Sequence, residues 1–174
     1  MPPILDPTHL YDYLTLARAR VLAWTAELTP EQYHQQFPIG PGSLSKIFNH
    51  ILIAEWYYTL RMLEREVPPI EDILARERSY ATFAQLQTAW TAQAADTRAA
   101  FDAVTDWNAP ITYLSTDDET GKVRRITATP TDMASQLILH EIHHRAQAVN
   151  ILRHLGIQTE DIDYNMFMYS ITDA

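Results

Sequence analysis

The residues in this chain best suited to chemistry are its histidines, seven in all: His9, His34, His50, His140, His143, His144 and His154. His140 and His144 stand four apart within TPTDMASQLILHEIHHRAQAVNILRHLG, residues 129–156. On a helix that spacing stacks the two imidazoles one turn apart on a single face. Met133, Leu137, His140, His144, Gln147 and Ile151 recur with alternating steps of four and three, the period of a core-facing stripe. Half of that stripe is polar. Imidazoles aimed at a core need partners, because an unpaired buried polar group costs about 1–3 kcal/mol. One metal ion shared between them satisfies both. His50 is the best third ligand, being the only other histidine set among apolar residues of a long helix. His9 and His34 fall at a helix start and in a polar turn. His143 and His154 lie off the shared face and are expected to be solvated or paired with a carboxylate.

Three neutral imidazoles in a chain without cysteine suit Zn²⁺, Ni²⁺, Fe²⁺ or Mn²⁺, and the ligand types do not choose among them. A three-histidine set keeps a position open for water or substrate, as catalytic sites do. Such an ion lowers the pKa of bound water towards ~7 or polarises a substrate oxygen or sulfur. Glu141, next to the first ligand of the pair, is the candidate for orienting it from behind. Tyr57 and Arg145 are the candidates for lining a substrate pocket. The plainer alternatives are that Trp56-Tyr57-Tyr58 is core and that Glu141, Arg145 and Gln147 are solvated or bond between helices. His140-Glu141-Ile142-His143-His144 also spells H-E-x-x-H, the helix of zinc proteases with glutamate as base. The extended form of that motif places glycine and histidine where this chain has Gln147 and Asn150. A glutamate ligand downstream would have to be Glu160, beyond Gly156, and no well-formed sheet precedes the motif to bind an extended peptide. The protease reading is set aside. A purely structural reading remains, with the histidines bonded to one another and to carboxylates.

Four long helices must position these residues. Asp6-Pro7 opens the first, over 7–28, with Leu10, Leu14, Ala17, Val21, Trp24 and Leu28 as its stripe. Thr29-Pro30-Glu31-Gln32 signals a short helical turn, and Phe37 to Gly42 a loop. Ser43 caps a second long helix that reaches about Glu66 and stops at Val67-Pro68-Pro69. The charged segment 70–78 offers one loose turn at most. A third helix spans roughly 79–105. Ile111–Leu114 and Val123–Ile126 have strand propensity, with Asp117-Asp118-Glu119-Thr120-Gly121 as the turn of a hairpin. The last long helix has Thr129 as N-cap, Pro130 at its first position, Asp132 in the capping box and Gly156 beyond its end. The aromatic and methionine-rich tail, 160–169, is expected to pack on the bundle or on a second subunit. The fold class is therefore all-α, a four-helix bundle with a short β-hairpin before the last long helix.

Composition narrows the partners. A chain of 174 residues is expected to form one domain, 1–174, with a sizeable core, and 47% hydrophobic with 20% charged residues is a globular composition. The net charge of −9 argues against nucleic acid, which favours a basic face. MPPILDPTHLYDY lacks the pattern of a signal peptide, and no apolar run approaches the ~20 residues of a membrane span. A cytoplasmic protein is the expectation.

His50 in a long second helix, together with H-E-x-H-H-R-A-Q at 140–147 and Leu-Arg-His-Leu-Gly at 152–156, resembles the DinB/YfiT-like metalloproteins. The order of elements resembles that family over nearly the whole chain, with Ala146 where the family often has glycine. The resemblance implies a four-helix bundle, commonly a homodimer, with a divalent metal on His50, His140 and His144 beside a pocket. It also implies a small-molecule substrate, since characterised members include transferases and isomerases that use a low-molecular-weight thiol. A non-catalytic, metal-stabilised binding or stress-response module is the alternative within the same resemblance.

Overall fold

The computed structural model describes residues 6–117 and 120–172. Four long helices carry the fold: α1 (Pro7–Thr25), α3 (Leu44–Met62), α5 (Phe83–Ala103) and α6 (Pro130–His154). Shorter pieces join them: α2 (Pro30–His34), α4 (Ile70–Glu77) and α7 (Tyr164–Met168), with a hairpin of β1 (Ile111–Thr116) and β2 (Val123–Ala128). α6 packs on α1 and α3, and α5 closes the ring by packing on the same two. The four-helix bundle with a hairpin before its last helix is the observed architecture. Among the described residues no helix is long and apolar enough to cross a membrane.

Helix starts obey local chemistry. Thr29, Thr82 and Thr129 each close a capping box, with Gln32, Gln85 and Asp132 as the returning side chains. Asp6 and Ser43 cap α1 and α3 by accepting from Thr8 N and Lys46 N. α6 ends before Gly156, whose φ of +86° is the left-handed conformation that a residue after a helix favours. The 70–78 segment exceeds the single loose turn expected of it. Ile70–Glu77 is an eight-residue helix, with Glu71 and Asp72 at its positive end and Arg76 at its negative end. The hairpin pairs Ile111 with Ala128 through Thr116 with Val123 in antiparallel register. Asp118 and Glu119 of the expected turn, and the N-terminal residues 1–5, lie outside the described residues. The tail packs on α1: Tyr13 Oη donates to Ile162 O at 2.9 Å, and the rings of Tyr13 and Tyr164 lie 5.2 Å apart.

The core has two apolar halves. One is built around Val21, Trp24, Ile47, Phe48, Leu86, Trp90, Ile151 and Leu152, the other around Tyr11, Leu14, Met62, Phe101, Met133 and Leu137. Every long helix contributes to both, and each places polar residues between them. Arg18 lies at the centre of this layer. Its guanidinium donates to Glu141 of α6 through Nε at 3.1 Å and through Nη2, and to Glu55 of α3 at 2.8 Å. Glu55 also accepts from Tyr11 Oη, from Trp90 Nε1 at 2.8 Å and from Thr97 Oγ1 at 2.8 Å. Arg18, Glu55 and Glu141 are all buried. Burial by itself would lower the Arg18 pKa, and the two carboxylates more than reverse it, so the arginine stays charged. Burial, with a smaller push from the neighbouring Glu55, moves the Glu141 carboxyl up against the pull of Arg18.

Removing one member of such a group strands the others in a low-dielectric interior. Arg18→Ala is expected to lower the unfolding free energy by about 3–5 kcal/mol, read from urea denaturation. A loss below about 1 kcal/mol, the worth of an exposed pair, would show that the layer is not load-carrying.

Candidate metal centre

Three histidines converge at the seam between α3 and α6. His50, His140 and His144 each offer a ring nitrogen, and these atoms all lie within 4.8 Å of one another. His50 Nε2 and His140 Nε2 are 3.1 Å apart, and the three ring centroids are separated by 4.5–4.8 Å. All three side chains are half-buried, not core. α6 turns Glu141 and Arg145 inward, which leaves His140 and His144 at the rim, facing α3. His50 meets them from the opposite wall.

Two of the rings are held from behind. Glu77, at the end of α4, accepts from His50 Nδ1 at 2.9 Å. Gln147 Oε1 accepts from His144 Nδ1 at 2.8 Å, while its Nε2 donates to His143 Nε2 at 3.1 Å. A proton fixed on Nδ1 makes Nε2 a lone pair, so Glu77 and Gln147 select the tautomer a metal needs. Burial first, then the neighbouring His144, His50 and His143, pull the His140 pKa down to about 4, so this ring is neutral near pH 7. Burial also lowers the value for His144.

The donor set fits a divalent ion. With metal–nitrogen bonds of about 2.0–2.1 Å in tetrahedral geometry, neighbouring ligand nitrogens stand about 3.4 Å apart. The 3.1 Å between His50 and His140 is close to that spacing. Among the described residues no cysteine or carboxylate joins the group, so the donor set is three nitrogens.

The DinB family model matches residues 1–174, the whole chain. The chain belongs to the DinB family. Among curated proteins, none matches it. DinB membership and the three-histidine group agree with the resemblance read from His50 and the 140–147 stretch.

The remaining expectations fare differently. Glu141 does not reach the histidines, because its carboxylate is held by Arg18 on the inner face of α6. The residue behind a site histidine is Glu77. α4 was obscured by its high charge, although Ile70, Ile73 and Leu74 keep helical spacing between Pro69 and Arg78. Arg145 is buried against α1, donating to Tyr13 Oη at 2.7 Å, and so takes the interhelical role rather than a place beside the histidines. Tyr57 is half-buried two turns along α3 from His50, edge-on to Tyr58 at 5.2 Å. The Arg61 guanidinium sits between Tyr57 and Tyr113, 5.0 and 4.1 Å from their ring centres, and ties the hairpin to α3. His143 and His154 are exposed, as expected, with His143 bonded to Gln147 and His154 stacked on Phe37 at 6.1 Å.

Gly40 completes the support. Its φ is +50°, and a Cβ there would lie 2.1 Å from Gln147 Oε1, the atom that holds His144. Gly40→Ala is expected to push the amide off His144 and to weaken metal affinity by roughly tenfold, measured by competition with a chromogenic chelator. An unchanged affinity would show that Gln147 does not position the ligand.

The histidines also predict a pH dependence for chelator-treated protein. Between the ordinary value of 6.5 and about 4, the unfolded chain takes up a proton that folded His140 refuses. Stability is therefore fully present above about 6.5 and falls as the pH drops towards 4, with His144 acting in the same sense. His140→Asn should flatten this part of a plot of urea midpoint against pH. An equally steep plot for the variant would refute the assignment.

Proposed function

We propose that His50, His140 and His144 bind one divalent metal ion, of zinc, nickel, iron or manganese, and that the protein is a metal-dependent enzyme acting on a small molecule. The observation that carries the reading is the pair of supports on the far side of the rings. Glu77 and Gln147 occupy the Nδ1 positions of His50 and His144, so that their Nε2 atoms are the ones offered. Satisfied core histidines need no such arrangement. A metal bound there supplies Lewis acidity at an open position, lowering the pKa of a thiol or water that enters it.

The protein's own groups bind and orient, and the two nearby glutamates, one on α6 and one on α4, are each held by another side chain. Glu141 is buried on Arg18, and Glu77 is engaged with His50. A zinc-protease mechanism, which relies on the glutamate of H-E-x-x-H, is thereby disfavoured. A reaction whose nucleophile is acidified by the metal alone suits this inventory, and transfer of a low-molecular-weight thiol is the form it takes in our reading. Assembly as a homodimer is part of the same proposal.

Elemental analysis of metal-replete protein tests it first, with wild type beside His50→Ala, His140→Ala and His144→Ala. About one ion per chain is expected, lost in each variant, while Glu77→Ala keeps the site but weakens it about 10–100-fold. Metal-free wild type would overturn the reading. Metal that raises the melting temperature without turnover, across a panel of thiol-transfer and hydrolysis substrates, would reduce it to a metal-stabilised module.

A further inference from the structure

The histidines use the seam of α3 with α6. The seam of α3 with α5 holds a separate cleft of about 200 Å³, small beside the ~300–1,000 Å³ of drug-sized sites. Leu60 and Leu63 on one side, with Ala100 and Ala103 on the other, give it apolar walls. Phe48 meets Trp90 and Thr59 meets Thr97, so α3 and α5 run in the same sense. Trp56, Gln93 and Asp96 therefore share one end of the cleft, and Arg65, just past the end of α3, stands at the other.

Gln93 is 5% exposed, and its Nε2 donates to Thr59 Oγ1 at 3.4 Å and to Thr97 Oγ1 at 3.2 Å. Both hydroxyls have an acceptor for their single proton: Thr59 donates to Glu55 O and Thr97 to Glu55 Oε1, each at 2.8 Å. They are left to accept from Gln93, which decides the end of the amide turned towards them. Gln93 Oε1 faces away from the pair and meets no donor among the described residues. It is not sealed in either. The enclosed, unpartnered side-chain atoms among the described residues are Tyr33 Oη, Asn49 Oδ1, Arg61 Nε and Arg145 Nη1. An unpartnered oxygen that is not enclosed opens on the space its residue borders, and for Gln93 that space is this cleft. Asp96, three residues on along α5, adds a carboxylate with no ion-pair partner among the described residues.

We propose that this cleft binds a small aliphatic primary amine in its ammonium form. The ammonium donates to Gln93 Oε1 and to Asp96, and the hydrocarbon body lies between the leucines and alanines. An anion there meets two acceptors and no donor. An alcohol has one proton for two acceptors and leaves the Asp96 charge unanswered. A second ammonium at the far end of the ligand meets Arg65, so a monoamine is preferred to a diamine of the same length. The inference does not rest on the metal reading, since α5 carries none of the three histidines.

Full-length protein labelled with nitrogen-15 is titrated with hexylamine and followed by the backbone amides of α5 and the Trp56 indole. The comparison probes are hexanol, hexanoate and 1,6-diaminohexane. Saturable shifts at Gln93, Asp96 and Trp56 are expected with hexylamine, and hexanol should bind about tenfold more weakly, the worth of one hydrogen bond to a charged group. Gln93→Met, which keeps the length of the side chain and removes its oxygen, should cost about the same. Asp96→Asn, at an exposed position, should weaken binding by about threefold, and it tests the site should the core variant fail to fold. No saturation with hexylamine overturns the proposal. So does hexanol or hexanoate binding as well as the amine, which would describe an apolar groove indifferent to Gln93. Diaminohexane binding more tightly than hexylamine would overturn the assignment of the two ends. Metal content plays no part in these readouts, so either reading can fail alone.

Discussion

Arg18 between Glu55 and Glu141 is the constraint on which the rest depends. A guanidinium taken out of water is tolerable only where carboxylates meet it with good geometry, and here they come from two other helices. Hydrophobic packing is permissive about rotation, because a leucine one step round a helix still buries much of its surface. A fork of N–H donors is not permissive. Glu141 must face α1 for its carboxylate to reach Arg18, and Glu55 must face the same point from α3. With those two rotations set, the residue before Glu141 and the residue five before Glu55 are also placed. They are His140 and His50. The ion group in the core thus fixes the facing of two of the three clustered histidines without touching either.

The rim position of the histidines has its own logic. A ligand set sunk in the apolar core would have no approach for a substrate, and would need partners at every nitrogen. At the half-buried seam the outward nitrogens are served by short, polar elements added around the bundle. α4 brings Glu77 behind His50, and the loop through Gly40 lies against Gln147 behind His144. These additions carry little of the core. Their packing against the long helices nevertheless decides which imidazole nitrogens are free, and with it what the site can bind.

That division of labour explains how much was legible in the sequence. The long helices announce themselves because period and caps agree: Thr129, Pro130 and Asp132 open α6 where the capping box closes. His140 and His144 were legible because a four-residue spacing means one face on any helix, and His50 because few other reasons put histidine in so apolar a stretch. Glu77 was not legible. Its segment is charged, its helix is held by contacts with α3, and nothing in sequence ties residue 77 to residue 50. For Arg145 and Glu141 the sequence leaves a role at the site and an interhelical role equally open, for a related reason. Spacing from a histidine gives the angle around α6, but only the identity of the opposing residue, Arg18 or Tyr13, says which direction is inward.

H-E-x-x-H illustrates the same limit in five residues. The helix places both histidines of the string in reach of a common point whatever the surrounding fold, so those letters carry geometric information. The glutamate carries none until its partner is known. Exposed beside an open coordination position it would be a base, whereas buried on Arg18 it is a strut, its burial and bonds already committed to holding α6 against α1. The motif's second histidine, His144, is held by Gln147, against which a loop from another part of the chain lies. Function in this bundle is therefore set less by the motif than by what the core does with the residue in its middle.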